Sequence, residues 1–401
     1  MAALPDDETS GVIVGPSRHL PAPLAAIARR VWDEASLFHR RFRHVLPPPA
    51  ARAVAESVER VQRPRLALFR SPGSSPHVLV ASNDPLLRAS LFSAFAPGPH
   101  AEHDGERLDS VARSEVRPDT RLDAAVVAVE IPSRAAPDFA RAGWLVLPRW
   151  VALEVDLREP EHALWDARKR ETVRRIERSG LELEVTRGTD AARYFHDRMY
   201  APTAEARHRD LAIVVRLGHV EAAARVGEFL FVRENGVRRA GLVVVPRPGR
   251  ETMLDALLFG VDGGDYVATR LAREALYLFG LRWARDVMRA TRFGLTVAAP
   301  FASDGILRYK MHWGATALAD SRQGACIAVR VRDGSRELHA ALATHAPIVL
   351  RHLDGETSLA VLAIDDAAPH VRGVPPVAVR STSPETLSDV LGRVARSAVS
   401  E

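Results

Sequence analysis

Two lysines are the first residues that suggest chemistry. The 401-residue chain carries 55 basic side chains, and only Lys169 and Lys310 among them are lysines. A helix lysine is ordinarily solvated, but in a chain that almost never uses the residue, Lys310 reads as functional. It follows Tyr309 in ILRYKMHW, where the 3.6-residue helical period turns the two side chains to different faces. Upstream, Asp255 interrupts the apolar run MLDALLFGV. A buried carboxyl there has its pKa raised and can take a proton from an attacking amine. The same position equally suits a partner for an arginine, or a side chain turned to solvent. Tyr200, Arg207 and His208 lie in or just after YFHDRMY; His208 is a second candidate base, although a lone histidine is more often structural. Arg168, Arg174, Arg175 and Arg178 recur at near-helical spacing. They form either a face able to grip phosphates or a solvated face paired with Glu171 and Glu177.

The elements that must position these groups are legible around them. GEFLFVRENG and VRRAGLVVVP are apolar runs joined at Asn235-Gly236, residues that tolerate the positive φ of a tight hairpin. A third strand reads through Glu251 to Asp262, and Gly263-Gly264 makes a corner. A long helix is expected next, with Val267, Leu271, Ala275, Leu278 and Phe279 on one face. Arg292 to Ala298 reads as a further strand. Pro300 to Ala315 reads as a loop and short helix, with Asp304 and Gly305 as cap and turn. Before the hairpin, Pro160 suits the first turn of a helix that runs to Ser179 and stops at Gly180.

This order of elements resembles the second half of a GNAT-fold acyltransferase. The closing SDGILRYKMHWGA is similar to the segment that ends that half in the Fem-type aminoacyl transferases and FemAB-related N-acyltransferases. The likeness runs from Trp144 to Ala315. It implies acyl or aminoacyl transfer from an activated donor to an amine, in a cleft where the strands before and after the long helix splay apart. Backbone N–H groups of Asp255 to Phe259 and Leu295 to Ala299 would polarise the donor carbonyl there. The resemblance assigns donor binding to Leu257, Leu258, Phe259, Gly263, Gly264, Tyr266 and Arg270, and acceptor binding to Tyr200, Arg207 and Asp304. It gives Tyr309 the leaving group and Lys310 the charge at the transferred carbonyl. It implies acyl-CoA or aminoacyl-tRNA as donor co-substrate, with no tightly bound cofactor, and tRNA or an acyl-carrier protein as donor partner. The acceptor would be a small-molecule or envelope-precursor amine. One departure stands out: VDGGDYVATRLA replaces the glycine-rich loop whose amides hold a pyrophosphate at a helix N-terminus. Asp262 and Asp265 would repel phosphate, which favours aminoacyl-tRNA or a carrier-protein donor over CoA. A catalytically degenerate module that binds a ligand or partner is the alternative reading. A nucleic-acid-binding protein, suggested by a pI near 9.8, is a third.

Composition sets the frame. With 47% hydrophobic and 26% charged residues, the chain is long enough for two or three packed units. The expected class is α/β (α+β): two tandem GNAT-like halves with mixed sheets flanked by helices, plus a small C-terminal α/β appendage. The expected divisions are an N-terminal tail and helix over 1–60, a degenerate first half over 61–157, a catalytic half over 158–330 and the appendage over 331–401. The only cysteine, Cys326, sits in the strand-like run ACIAVRV and excludes an internal disulfide. His100, His103, Asp104 and Glu106 are the only metal-like cluster, in a Gly/Pro-flanked loop that reads as surface. No signal peptide or membrane span is apparent, so a cytoplasmic protein is expected, with a peripheral place at the inner membrane face left open. Nucleotide-loop, nucleophile-elbow and zinc-protease motifs are absent from the sequence.

Overall fold

The computed structural model describes residues 65–70, 78–82, 84–95, 106–112, 119, 124–165, 167–209, 212, 214–247, 252–319, 324–332, 336–353, 356–364, 370–379 and 384–399. The expected N-terminal helix, and His100, His103 and Asp104, lie outside these residues.

The chain first lays down β1 (Arg65–Arg70), β2 (Val78–Ala81), α1 (Pro85–Phe95), β3 (Glu106–Ala112), β4 (Val126–Pro132), α2 (Ala136–Arg141) and β5 (Leu145–Pro148). It continues through β6 (Val151–Asp156), the short α3 (Glu161–Leu164), α4 (Ala167–Glu177), β7 (Glu182–Thr186) and α5 (Thr189–Phe195). A π-turn over His196–Tyr200 leads into α6 (Ala201–His208), and α7 (Leu217–Ala224) follows. Next come β8 (Glu228–Glu234), β9 (Val237–Arg247), β10 (Met253–Val261), α8 (Arg270–Asp286), β11 (Arg292–Ala298), α9 (Gly305–Met311) and β12 (Thr316–Leu318). The chain closes with β13 (Ala325–Val331), α10 (Arg336–His345), β14 (Ile348–Leu353), β15 (Glu356–Ile364), β16 (Pro376–Val379) and α11 (Pro384–Ser397).

The protein is therefore mixed α/β, with three mixed or antiparallel-rich sheets flanked by helices. One sheet has the order β3-β1-β2-β4-β13-β5, a second β12-β6-β11-β10-β9-β8-β7, and a third β14-β15-β16. Strand β6 belongs to the seven-stranded sheet, whereas β13 closes back into the six-stranded one between β4 and β5. The two sheets thus exchange strands along the sequence, and each is completed only by chain from far away. Cys326 is buried in β13. Among the described residues no helix is long and apolar enough to cross a membrane.

The hairpin forms as its turn residues require. Asn235 and Gly236 have φ of 49° and 82°, and Glu234 pairs with Val237 directly across them. Apolar side chains of α8, with Ala275, Leu276 and Leu278 fully buried, join those of β8 to β10 and of α4 in one core on one face of the seven-stranded sheet. Phe195, Met199, Phe229 and Phe231 fill a second core on the other face, under α5 to α7. Gly260 lets the π-turn approach β10, since a Cβ there would stand 2.6 Å from backbone atoms of Met199 and Tyr200. That contact sets the position of Tyr200.

Two local expectations are corrected. The helix expected from Pro160 to Ser179 is broken at Trp165, which is extended (φ −120°, ψ 136°). Its ring is buried edge-on against Trp313 at 5.9 Å, and tertiary burial of a large ring outweighs one turn of helix. Val267, expected on the buried face of the long helix, is 87% exposed. The helix begins three residues later at Arg270, because Asp265 first caps a turn with its carboxylate on Val267 N–H (3.1 Å) and Ala268 N–H (2.9 Å).

Candidate functional site: a cleft between parting strands

Strands β10 and β11 run parallel and pair only through Met253↔Arg292, Leu254↔Phe293 and Asp255↔Gly294. Beyond Asp255 they part. Two bulges open the gap: β10 shifts register against β9 between Ala256 and Leu258, and β11 shifts against β6 between Gly294 and Val297. A bulge leaves an extra residue unmatched in the ladder and re-aims its backbone. Leu257 is the extra residue of the first bulge, Leu295 and Thr296 face the single residue Leu153 in the second, and all three line a cavity of about 420 Å³.

The cavity brings together most of the residues the sequence singled out. Tyr309, Lys310, His208, Tyr200, Arg207, Leu257, Leu258, Phe259 and Tyr266 all line it. The others lie elsewhere. Gly263 and Gly264 have the positive φ of a tight turn, 58° and 74°, but do not line the cavity. The amides that follow them are filled by the Asp265 carboxylate, so this corner offers those two donors to no phosphate. Arg270 lines a neighbouring cavity instead. Asp304 caps α9 through Leu307 N–H at 2.7 Å, with its carboxyl pushed above the usual range by burial.

Asp255 is the main correction. Of the readings the sequence leaves open, the structure takes the arginine partner. Arg247 Nε donates to Asp255 Oδ2 at 2.7 Å, and a second guanidinium nitrogen donates to Oδ1. The third arm of Arg247 holds Glu154 at 2.7 Å. Asp255 is absent from the cavity lining, and a carboxylate bonded through both oxygens to a guanidinium is a poor base. Gly294 is required by this pair, because a Cβ there would stand 2.1 Å from Asp255 Oδ1.

Lys310 is the most unusual group in the cleft. It is 5% exposed, and its ammonium donates to Thr296 Oγ1 at 2.6 Å and to the Val297 carbonyl at 2.9 Å. Burial pushes its pKa down to about 7, against the pull of Asp304 and assisted by the repulsion of Arg207. Two of the three tetrahedral positions on Nζ are taken by these anchors. The remaining one carries a proton or a lone pair according to pH. Tyr309 beside it has its pKa driven well up, chiefly by burial, with its hydroxyl turned toward the Trp313 indole. The second lysine is also buried: Lys169 pairs with Glu274 at 2.8 Å and lies over the Trp313 ring at 4.0 Å, bracing α4 and α8 against the residues after α9.

Sequence reasoning missed Arg273, Tyr277 and Thr296, all in the lining. Arg273 stacks on Tyr266 at 3.7 Å, and Arg207 donates to the Tyr266 hydroxyl at 3.3 Å. Among the described residues no aspartate or glutamate lines the cavity, and its described charged side chains are cationic. Thr296 has φ of 63°, a conformation that costs a β-branched residue about 1–3 kcal/mol. That strain, exposed at the point where Lys310 is anchored, is a signature no local pattern announces. Thr296→Gly is expected to leave the unfolding free energy within about 1 kcal/mol of the parent, since relief of strain offsets the lost bond. Its transfer rate is expected to fall about tenfold as Lys310 loses an anchor. Chemical denaturation and initial-rate assays check the two halves, and an unchanged rate would remove Thr296 from the site.

No protein-family model and no curated protein matches the chain. Solved structures similar to it include L-PGS from Bacillus licheniformis, at 15% identity and a TM-score of 0.35, over 69% of this chain and 84% of that one. FemX is similar at 13% identity and a TM-score of 0.36, over 65% and 83%. A GCN5-related N-acetyltransferase from Kribbella flavida is similar at 17% identity and a TM-score of 0.28, over 51% and 66%. At such scores these likenesses decide nothing about the chain's activity, which rests on the cleft itself.

Proposed function

We propose that the cleft transfers an acyl or aminoacyl group from an activated donor to an amine. The observation that carries this reading is Lys310, buried between parting strands with its pKa pushed down to about 7. An acceptor amine that enters in its neutral form becomes positively charged as it attacks and must lose one proton, and a base works best when its pKa lies near the operating pH. Asp255 is committed to Arg247; of the two candidates left in the lining, His208 and Lys310, we assign the role to neutral Lys310, which is anchored at the bulge of β11, in place of the charge-stabilising one that the resemblance implies. The amine nitrogen attacks the donor carbonyl and its proton passes to Lys310 Nζ. The oxyanion is met by backbone N–H groups at the bulged, unpaired side of β10, where each well-placed donor lowers the barrier by about 3 kcal/mol. The bond from carbonyl carbon to the leaving sulfur or oxygen then breaks. The leaving atom receives the proton from Lys310, while the Tyr309 hydroxyl offers it a hydrogen bond.

The cationic lining formed by Arg207 and Arg273 supports a substrate with an anionic group near the reacting centre. The occupied amides at Asp265 support a donor whose phosphates, if any, are held other than by a backbone loop. The test offers the protein acetyl-CoA, longer acyl-CoAs and charged tRNA, each with a pool of amines, and follows amide products by mass spectrometry. A new amide that depends on the protein and is lost in Lys310→Met supports the reading. Binding without product from every donor would overturn it in favour of a non-catalytic module.

A further inference from the structure

Beyond Tyr309 and Gly305, which it shares with the cleft, lies a second cavity of about 350 Å³. Arg168 and Arg175 of α4, Arg270 of α8 and Arg308 of α9 converge on it. The lining carboxylate, Glu274, is already neutralised by Lys169. None of the four arginine side chains has a carboxylate partner among the described residues. Their neighbours differ: Arg174 on the same helix pairs with Glu171 at 2.9 Å, and Arg282 and Arg285 at the far end of α8 pair with Glu161. Arg270 is moreover the first residue of a 17-residue helix with no acidic side chain in its first turn. Positive charge at that end is opposed by the helix dipole. Three helices thus bring four like charges and a positive helix end around one hollow, an arrangement that an anion relieves.

We propose that this hollow binds phosphate, and more than one group at a time: the phosphates of the activated donor's carrier, with its carbonyl reaching past Tyr309 into the cleft. Guanidinium forks match phosphate oxygens in pairs, and four of them exceed what one phosphate can use. The hollow lies where donor phosphates are needed, because the amides after the Gly263-Gly264 corner are filled by Asp265. Naming the ligand as the donor rests on the acyl-transfer reading; the phosphate site itself does not. A nucleotide carrier and an RNA end present the same chemistry.

Calorimetric titration of the full chain separates these sources, with inorganic pyrophosphate, adenosine 3′,5′-bisphosphate and a short RNA ending in CCA as probes. The Arg175→Ala/Arg308→Ala variant, exposed at both positions, is expected to weaken binding roughly a hundredfold, about tenfold per guanidinium lost. Arg178→Ala, one residue past the end of the same helix and outside the hollow, is expected to leave it unchanged. Tighter binding of the bisphosphate assigns a nucleotide carrier. Tighter binding of the RNA, with a steep salt dependence, assigns an RNA carrier; both support the site. Absence of binding by all three probes overturns it, as does equal weakening by Arg178→Ala. Phosphate binding with no transfer from any donor would sink the acyl-transfer reading and leave the site standing. Wild-type transfer in the double variant would overturn the assignment of these phosphates to the donor.

Discussion

Arg247→Met is expected to lower the unfolding free energy by about 3–5 kcal/mol, the usual cost of removing one partner from a buried ion pair. Arg247 reaches from the end of β9 across the sheet, holding Asp255 on β10 through two nitrogens and Glu154 on β6 through the third. Those carboxylates are 3% and 9% exposed. Removing the guanidinium takes from both buried carboxylates the cation that holds them at bonding distance; Arg292 stands farther from Glu154, at 3.6 Å. Position matters as much as charge. Asp255↔Gly294 is the last pair before β10 and β11 separate, so the same side chain clamps the base of the cleft. Denaturant titration with the slope monitored checks the loss. Asp255→Asn, which leaves Arg247 its bond to Glu154, is expected to cost less stability and to retain transfer. A stable Asp255→Asn protein without activity would return Asp255 to the role of base.

Local chemistry made the hairpin, the third strand, the Asp304 cap and the lysine at the cleft legible before any coordinates. Each depends on residues adjacent in the chain: two positive-φ residues in a turn, an apolar run, a carboxylate three residues before its amide. What stayed hidden depends on distant partners. Asp255 could not be assigned because its partners, Arg247 and Glu154, are brought to it by strand pairing, and Glu154 lies about a hundred residues away in a strand that sequence alone gives to the other half. The break at Trp165 follows from a ring contact with Trp313, and Arg273 and Tyr277 read as ordinary positions of an amphipathic helix. Thr296 gave no signal because its strain arises from a bulge, which sequence periodicity does not encode. The rarity of lysine was the most useful compositional clue. Both copies are buried amines, one bracing the helices around the cleft and one inside it.

Lys310→Met is expected to lower kcat/KM by about 10²–10⁴-fold, the range over which a positioned acid–base group contributes. The parent rate is expected to rise with pH through about 7, where Lys310 loses its proton, and the residual rate of the variant is expected to lack that limb. Stability gives an independent reading. The folded-state pKa is pushed down from 10.5 to about 7 by burial, so between those values the unfolded chain binds more protons than the folded one. Stability contributed by this group therefore rises with pH across that window, and below about pH 7 the cost of burying the charge is felt in full. Lys310→Met, similar in length and uncharged, removes this slope while filling the same space. Loss of rate with loss of the pH slope identifies one group as both the buried amine and the base. A parent rate that instead falls as pH rises through 7 would show that the charged form is needed, with Lys310 stabilising the carbonyl oxygen rather than taking the amine's proton. The two roles use the same atom, anchored by the same two acceptors, and differ only in which protonation state the strained strand at Thr296 is there to hold.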